Sequence, residues 1–366
     1  MQEKTKPPIF LQAGFYFLAI IFALTSVRNN AAKTLADESN RQTPQDALTD
    51  SFVRNSVFCY YESKASNSLH KFQVQKEPRE IVFLGSSLML YPFWEMDRAS
   101  GIRVSEIGYY PYAKSVENAL AGAGVSNTSI FNWATLLQMN SDSLLITKQY
   151  LLSPSPPKLV VLGLAPRDFY DNLITSPSAT TYFQQYAFWP LWFDKAYVNS
   201  VEYFAQAILT KNCALYSDKG WIQSLVTSEF RKAIFALFKL QPLPPRFQSF
   251  YVPRYKNIQI DKMTEQSRFL QKLIETCAER KIKLLLINMP LSASNRRLLP
   301  EGVYQQFNQN LATLAAANRL PLLDLSSSAQ FTEKDYIDGV HLNRYGGAKL
   351  VKELLPLICH ELALGK

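Results

Sequence analysis

The chain has 366 residues, 47% of them hydrophobic, which supplies a sizeable core and argues against global disorder. One core usually stops growing near roughly 250–300 residues, so the length calls for a domain with an anchor and an insertion, or for two small domains. The formal charge of +9 comes from basic residues scattered singly, with no Lys/Arg block, Cys/His cluster or RNA-binding aromatic pattern, so nucleic acid is not an expected partner, whereas a membrane surface or an anionic glycan is.

In chain order the first element is the run from Ile9 to Val27, apolar apart from Gln12, Thr25 and Ser26. At 1.5 Å per residue, about 19 residues nearly match the roughly 30 Å hydrocarbon core of a bilayer. A cleavable signal usually has a shorter apolar run, about 7–15 residues. Here Arg28, Asn29 and Asn30 also separate the run from the small residues Ala31 and Ala32. Residues 1–28 are therefore expected to be an uncleaved N-terminal transmembrane helix, with the remainder on the extracytoplasmic side of the membrane. Residues 29–77 read as a stalk or linker, polar from about Asn29 to Asn55, with a short helix around Thr43 to Val53.

From 78 to 366 short apolar runs bounded by turn residues alternate with helical patterns. Ile81–Leu84, Ser129–Phe131, Leu159–Leu162, Lys283–Ile287 and Leu320–Leu325 read as strands buried on both faces. Asp142–Leu151, Thr264–Arg280 with Thr264 as N-cap, Tyr304–Asn318 and Tyr345–Leu357 read as helices. Such alternation predicts an α/β domain with a mostly parallel sheet covered on both faces, whose ligands bind outside the carboxyl ends of the strands. An aromatic stretch at about 169–253 breaks the pattern and reads as a helical insertion: extra core, or a lid, cleft or membrane-resting surface. Gln241–Arg246 (QPLPPR) forms a stiff connector out of it. Cys59, Cys213, Cys277 and Cys359 include no C-x-x-C pair and read as buried thiols or, in an oxidising compartment, as two disulfides. No metal or cofactor is expected, since no ligand spacing suggests one.

Two places carry chemistry. Gly85-Ser86-Ser87-Leu88 follows the first strand directly, so a Ser there is presented at the sheet's carboxyl edge near a helix N-terminus whose N–H groups can hold an oxyanion. Equally, a Ser at such a turn can act merely as an N-cap. Asp338-Gly339-Val340-His341-Leu342-Asn343 precedes the last helix and contains the one histidine of three in a constrained setting. A carboxylate three residues before an imidazole can fix its tautomer and stabilise the imidazolium. The bland alternative is that Asp338 and Asn343 only cap a turn and a helix.

Taken in this order, G-x-S-L after the first strand and D-x-x-H before the last helix resemble the SGNH/GDSL hydrolase superfamily over about Arg79 to Leu357. The resemblance implies a flavodoxin-like three-layer α/β/α sandwich, with Ser87 as nucleophile, His341 as base and Asp338 as its orienting partner; Ser86 stands where that family has Asp. It also implies an oxyanion and substrate wall at Asn132-Trp133-Ala134, with Ala134 in the place of a Gly, and at Gly163 to Asp168, where no Asn stands at the motif position and Arg167 is the substitute donor. The variant motifs behind one anchor look like the membrane-tethered branches of the superfamily, including proteins that help acylate envelope polymers. The implied function is a serine esterase or O-acyltransferase acting on acyl esters of an envelope glycan or lipid, in the second case with a membrane acyl-carrier protein as partner. The rival from another class is a catalytically degenerate fold with a binding or assembly role.

Overall fold

The computed structural model describes residues 68–74, 79–104, 110–125, 128–152, 155–171, 174, 176–187, 194–198, 255, 258 and 260–363. The expected N-terminal helix, the stalk and most of the aromatic insertion lie outside the described residues. Among the described residues no helix is long and apolar enough to cross a membrane. The chain divides into two compact units, 1–63 with 188–242 and 64–187 with 243–366. Of the first, only 194–198 is described, a turn in which the Ala196 N–H donates to Asp194 Oδ1 at 2.8 Å. Every element that follows belongs to the second unit.

A short helix α1 (68–74) precedes strand β1 (Ile81–Gly85), which leads through Ser86 into helix α2 (Ser87–Ala99). Then come α3 (Lys114–Gly122), β2 (Ile130–Asn132), α4 (Asn140–Ile146) with a π-helical turn at Thr147–Leu151, and β3 (Leu159–Leu164). After α5 (Thr181–Tyr186) the chain continues with α6 (Ile260–Glu279), β4 (Lys283–Asn288), α7 (Ala293–Arg296), α8 (Val303–Ala317), β5 (Leu322–Asp324) and α9 (Arg344–Ala363). The five strands are all parallel in the order β2-β1-β3-β4-β5. This is the doubly wound order of flavodoxin-like folds, in which the crevice at the strands' carboxyl ends is the binding place.

The expected strands all form, with ends shifted by one or two residues. β1 and β3 are buried along their whole length, which is why they read as continuous apolar runs rather than alternating ones. Two expectations change, and one helix is new. The helix expected at Asp142 starts at Asn140 and runs into the π turn, because Asp142 Oδ2 accepts from Met139 N–H (2.9 Å) and so caps the helix from inside its first turn. Thr264 is no N-cap but lies inside α6, which starts at Ile260. Helix α3 had no expectation; its first N–H groups are satisfied from a distance, by Asp97 on α2. That buried carboxylate accepts from Lys114 N–H (2.7 Å), Ser115 N–H (2.6 Å), Tyr110 Oη (2.7 Å) and Ser115 Oγ.

Two helical layers sandwich the sheet. Phe83 of β1 stacks on Phe93 of α2 at 4.9 Å, while Phe131 of β2 and Trp133, on the other face, pack with Phe72 of α1. Helices α3 and α9 pack beside α2, and α6 packs beside α4. Gly347 sets how closely α9 approaches α2, since a Cβ there would stand 2.8 Å from Pro92 O. Cys277 is buried and free, its thiol pushed up to about 12 by burial, and Cys359 is half-buried and free. Cys59 and Cys213 lie outside the described residues.

Gly85 makes the bend from strand to helix. Its φ of +132° is closed to most L-residues, and a Cβ would sit 2.6 Å from Gly163 O on the neighbouring strand. Gly85→Ala is expected to lower the unfolding free energy by roughly 2–5 kcal/mol, summing strain and overpacking. Urea unfolding followed by circular dichroism reads this, and an unchanged midpoint would show that the bend has another cause.

Candidate active site

Ser87 is the first residue of α2 and Ser86 its N-cap. Ser86 O accepts from the N–H groups of Met89 (3.0 Å) and Leu90 (3.3 Å), so the Ser87 and Leu88 N–H groups have no intrahelical partner. The Ser87 side chain is only part-buried, at the carboxyl edge of β1, while Ser86 beside it is fully buried.

His341 comes to the same place from the other end of the unit. Its loop is pinned at many points. Ile337 N–H donates to His341 O (2.8 Å), Asn343 N–H donates to Asp335 O (2.9 Å), and Ser292 Oγ bonds Gly339 O. Asn343 Oδ1 accepts from Tyr345 N–H (2.9 Å) and Gly346 N–H (3.2 Å), capping α9, while its Nδ2 donates to Lys334 O (2.7 Å). Lys349 Nζ, from within α9, holds Asp335 Oδ2 at 2.8 Å.

The outcome is a continuous line of hydrogen bonds. Ser87 Oγ and His341 Nε2 are 2.9 Å apart, and His341 Nδ1 and Asp338 Oδ2 are 2.8 Å apart. Asp338 Oδ1 accepts from Val340 N–H (3.1 Å) and His341 N–H (3.0 Å), so the carboxylate both caps its turn and holds the imidazole. Burial pushes the Asp338 carboxyl up, but the His341 ring and the two N–H donors outweigh it and hold it below its ordinary value. A carboxylate that stays ionised on Nδ1 leaves Nε2 as the nitrogen that faces Ser87 and can take its proton. On top of the imidazole lies Tyr91 of α2, its ring stacked at 3.9 Å and 16°.

The residues expected for the oxyanion wall stand differently. Ala134 is buried, and its N–H is already donated to Asn132 Oδ1 at 3.1 Å, while Asn132 Nδ2 is buried with no partner among the described residues. The next turn is the unusual one. Leu137, half-buried, has φ +62°, in the left-handed region that favours glycine. This strained turn is clamped on both sides, since Tyr182 Oη bonds Leu136 O and Arg167 Nη2 donates to Gln138 O at 3.2 Å. Among the described residues the Leu137 N–H has no partner. Only a glycine would have announced such a turn in the sequence, and none stands there.

Arg167 is not a loose donor. Its side chain is buried, and besides Gln138 O it binds Asp168 Oδ1 (3.1 Å) and Asp171 Oδ2 (3.0 Å). The part expected of it at the oxyanion therefore needs revising: its hydrogen bonds go to its own carboxylates and to the strained turn. Burial pushes Asp168 up to about 6, against the pull of Arg167, the Ala165 N–H and the nearby Ser86 hydroxyl, which closes no full hydrogen bond. Burial likewise pushes Asp142 up to about 7, against Thr180, the Met139 N–H and Arg167. Asn288, at the end of β4, is committed through Nδ2 to Asn308 and Asp324, both at 3.0 Å. Among the described residues no group of His, Cys, Asp and Glu could hold a metal ion.

No curated protein matches the sequence. One protein-family model matches residues 254–362, less than a third of the chain. Among solved structures, a GDSL-like lipase from Bacteroides thetaiotaomicron has 12% identity and a TM-score of 0.39, covering 83% of this chain and 99% of its own. A protein described as an acylhydrolase from Bacteroides fragilis has 14% identity and a TM-score of 0.38, covering 82% and 96%. A carbohydrate esterase, whose active site is described as having divergent catalytic and non-catalytic binding functions, has 14% identity and a TM-score of 0.31, covering 78% and 70%.

Asp142 supplies a test of the buried charge. A carboxyl whose pKa is raised in the folded state stabilises the protein below its unfolded value near 4, and that stability is lost as pH rises through about 7. The unfolding free energy should therefore fall between about pH 4 and 7 by an amount on the order of a few kcal/mol, and Asp142→Asn should flatten that fall. Urea titrations across this range would contradict the account if the variant kept the wild-type slope. In strand order, in the place of Ser87 after β1 and in Asp338 and His341 before the last helix, the chain is similar to the SGNH/GDSL hydrolase superfamily.

Proposed function

We propose that this chain is a serine esterase or O-acyltransferase of the SGNH type, with Ser87 as nucleophile, His341 as general base and acid, and Asp338 as the residue that orients the imidazole. The single observation that carries the reading is the unbroken line from Ser87 Oγ through both ring nitrogens of His341 to Asp338. Ser87 Oγ attacks an ester carbonyl as its proton passes to His341 Nε2. The ester C–O bond then breaks, the acyl group stays on Ser87, and His341 returns the proton to the leaving alcohol. Water frees the acyl group in an esterase, and a sugar hydroxyl takes it in a transferase. The free N–H groups of Ser87 and Leu137 are the donors proposed for the oxyanion, in place of the engaged Ala134 N–H and Arg167.

The substrate class proposed is an acyl ester of an envelope glycan or lipid. The apolar run Ile9–Val27 and the net charge of +9 support a membrane-held enzyme meeting an anionic surface. The second reading, a non-catalytic binding or assembly protein, draws on Arg167, whose hydrogen bonds go to Asp168, Asp171 and Gln138 rather than to an open site. Hydrolysis of p-nitrophenyl acetate by the full chain separates the two. The enzyme reading expects turnover that falls by at least about 10³-fold in Ser87→Ala and in His341→Ala. Turnover unaffected by either variant would reject the triad, and none in any of the three would reject the esterase and leave the transferase with its carrier and the second reading.

A further inference from the structure

We infer that Tyr91 is a positioning residue for His341, a role that rests on the acyl-transfer reading above. Residues four apart share a face of a helix, so Tyr91 projects from the same side of α2 as Ser87, one turn further on. There its ring meets the imidazole face to face, at 3.9 Å between centroids and 16° between planes.

Two hydrogen bonds already hold the imidazole, one at each nitrogen: Nδ1 on Asp338 and Nε2 on Ser87. Bonds at opposite edges of a ring fix the line between them but leave the ring free to swing about it. The Tyr91 face blocks that swing. It also presents the negative face of its π system to a ring that becomes a cation when it takes the Ser87 proton. The stack thus strengthens at the moment of proton transfer, so it acts on kcat rather than on substrate affinity. No polar contact of the Tyr91 hydroxyl is needed for this, and a phenylalanine would serve.

The test compares the full-length wild type with Tyr91→Phe and Tyr91→Leu. With p-nitrophenyl acetate, Tyr91→Phe should keep kcat within about twofold, whereas Tyr91→Leu should lose roughly 3- to 30-fold in kcat with KM unchanged, the range that a cation–π contact supplies. A second readout does not depend on turnover. The low-field proton resonance of the His341 Nδ1–H, identified by its loss in His341→Ala, should persist in wild type and Tyr91→Phe and broaden away in Tyr91→Leu as the loosened ring exchanges with water. A Tyr91→Leu chain that keeps both kcat and the resonance overturns the proposal, as does a Tyr91→Phe chain that loses as much as Tyr91→Leu. A wild type that shows the resonance but no turnover refutes the esterase reading instead. In that case the resonance in Tyr91→Leu alone decides whether Tyr91 holds the ring.

Discussion

The hydrogen bond of 2.9 Å between Ser87 and His341 joins residues 254 positions apart, and the chemistry proposed for the site depends on that distance. Nothing local enforces it. Ser87 is placed by the Gly85 bend at the end of β1, and His341 by a loop tied back to Asp335, Ser292 and the start of α9. The two supports meet because α9 lies directly along α2, as close as Gly347 and Pro92 O permit. A proton relay needs its members within hydrogen-bond reach before their acidities matter. Here that reach is a consequence of two helices packing on one face of a parallel sheet.

Behind the relay lies a buried knot of charge. Arg167 sits between Asp168 and Asp171, with Asp142 near enough to feel it. Buried ions cost more in desolvation than their attraction returns unless hydrogen bonds complete the set, and such knots often serve to fix a particular geometry. The geometry fixed here is the turn at Leu137, which Arg167 clamps through Gln138 O. The same knot bears on Ser86, which stands where the superfamily that the sequence resembles has Asp. Ser86 stands beside the buried Asp168, and an aspartate in its place would bring a second carboxyl against the first. A serine avoids that repulsion and adds a small dipole that favours the ionised form.

Much of this architecture was legible in the sequence because it is periodic. Runs such as IVFL and LVVL, short and bounded by turn residues, fit strands buried on both faces, and their alternation with helices argues for a parallel sheet. The meeting of Ser87, His341 and Asp338 was anticipated from two short motifs, one histidine in a constrained turn and a Gly-Ser-Ser at the first strand's end. The illegible parts are those decided by neighbours distant in sequence. Asp97 caps α3 from a different helix, 17 and 18 residues away, so no local cap announces it. Ala134 looks like a free backbone donor until Asn132 is seen to occupy it. Leu137 carries a left-handed turn that sequence reading assigns to glycine, and Tyr91 reads as one more aromatic of an amphipathic helix until the histidine beneath it is placed.

The claim at the centre of the account is that Ser87 is an activated nucleophile, and covalent trapping tests it without knowledge of the natural substrate. The full chain would be treated with a fluorophosphonate and the modified residue located by peptide mass spectrometry. The account predicts a phosphonyl adduct on Ser87, formed far more slowly in His341→Ala. An unmodified Ser87 in the wild type, or an adduct formed equally fast without His341, would contradict it.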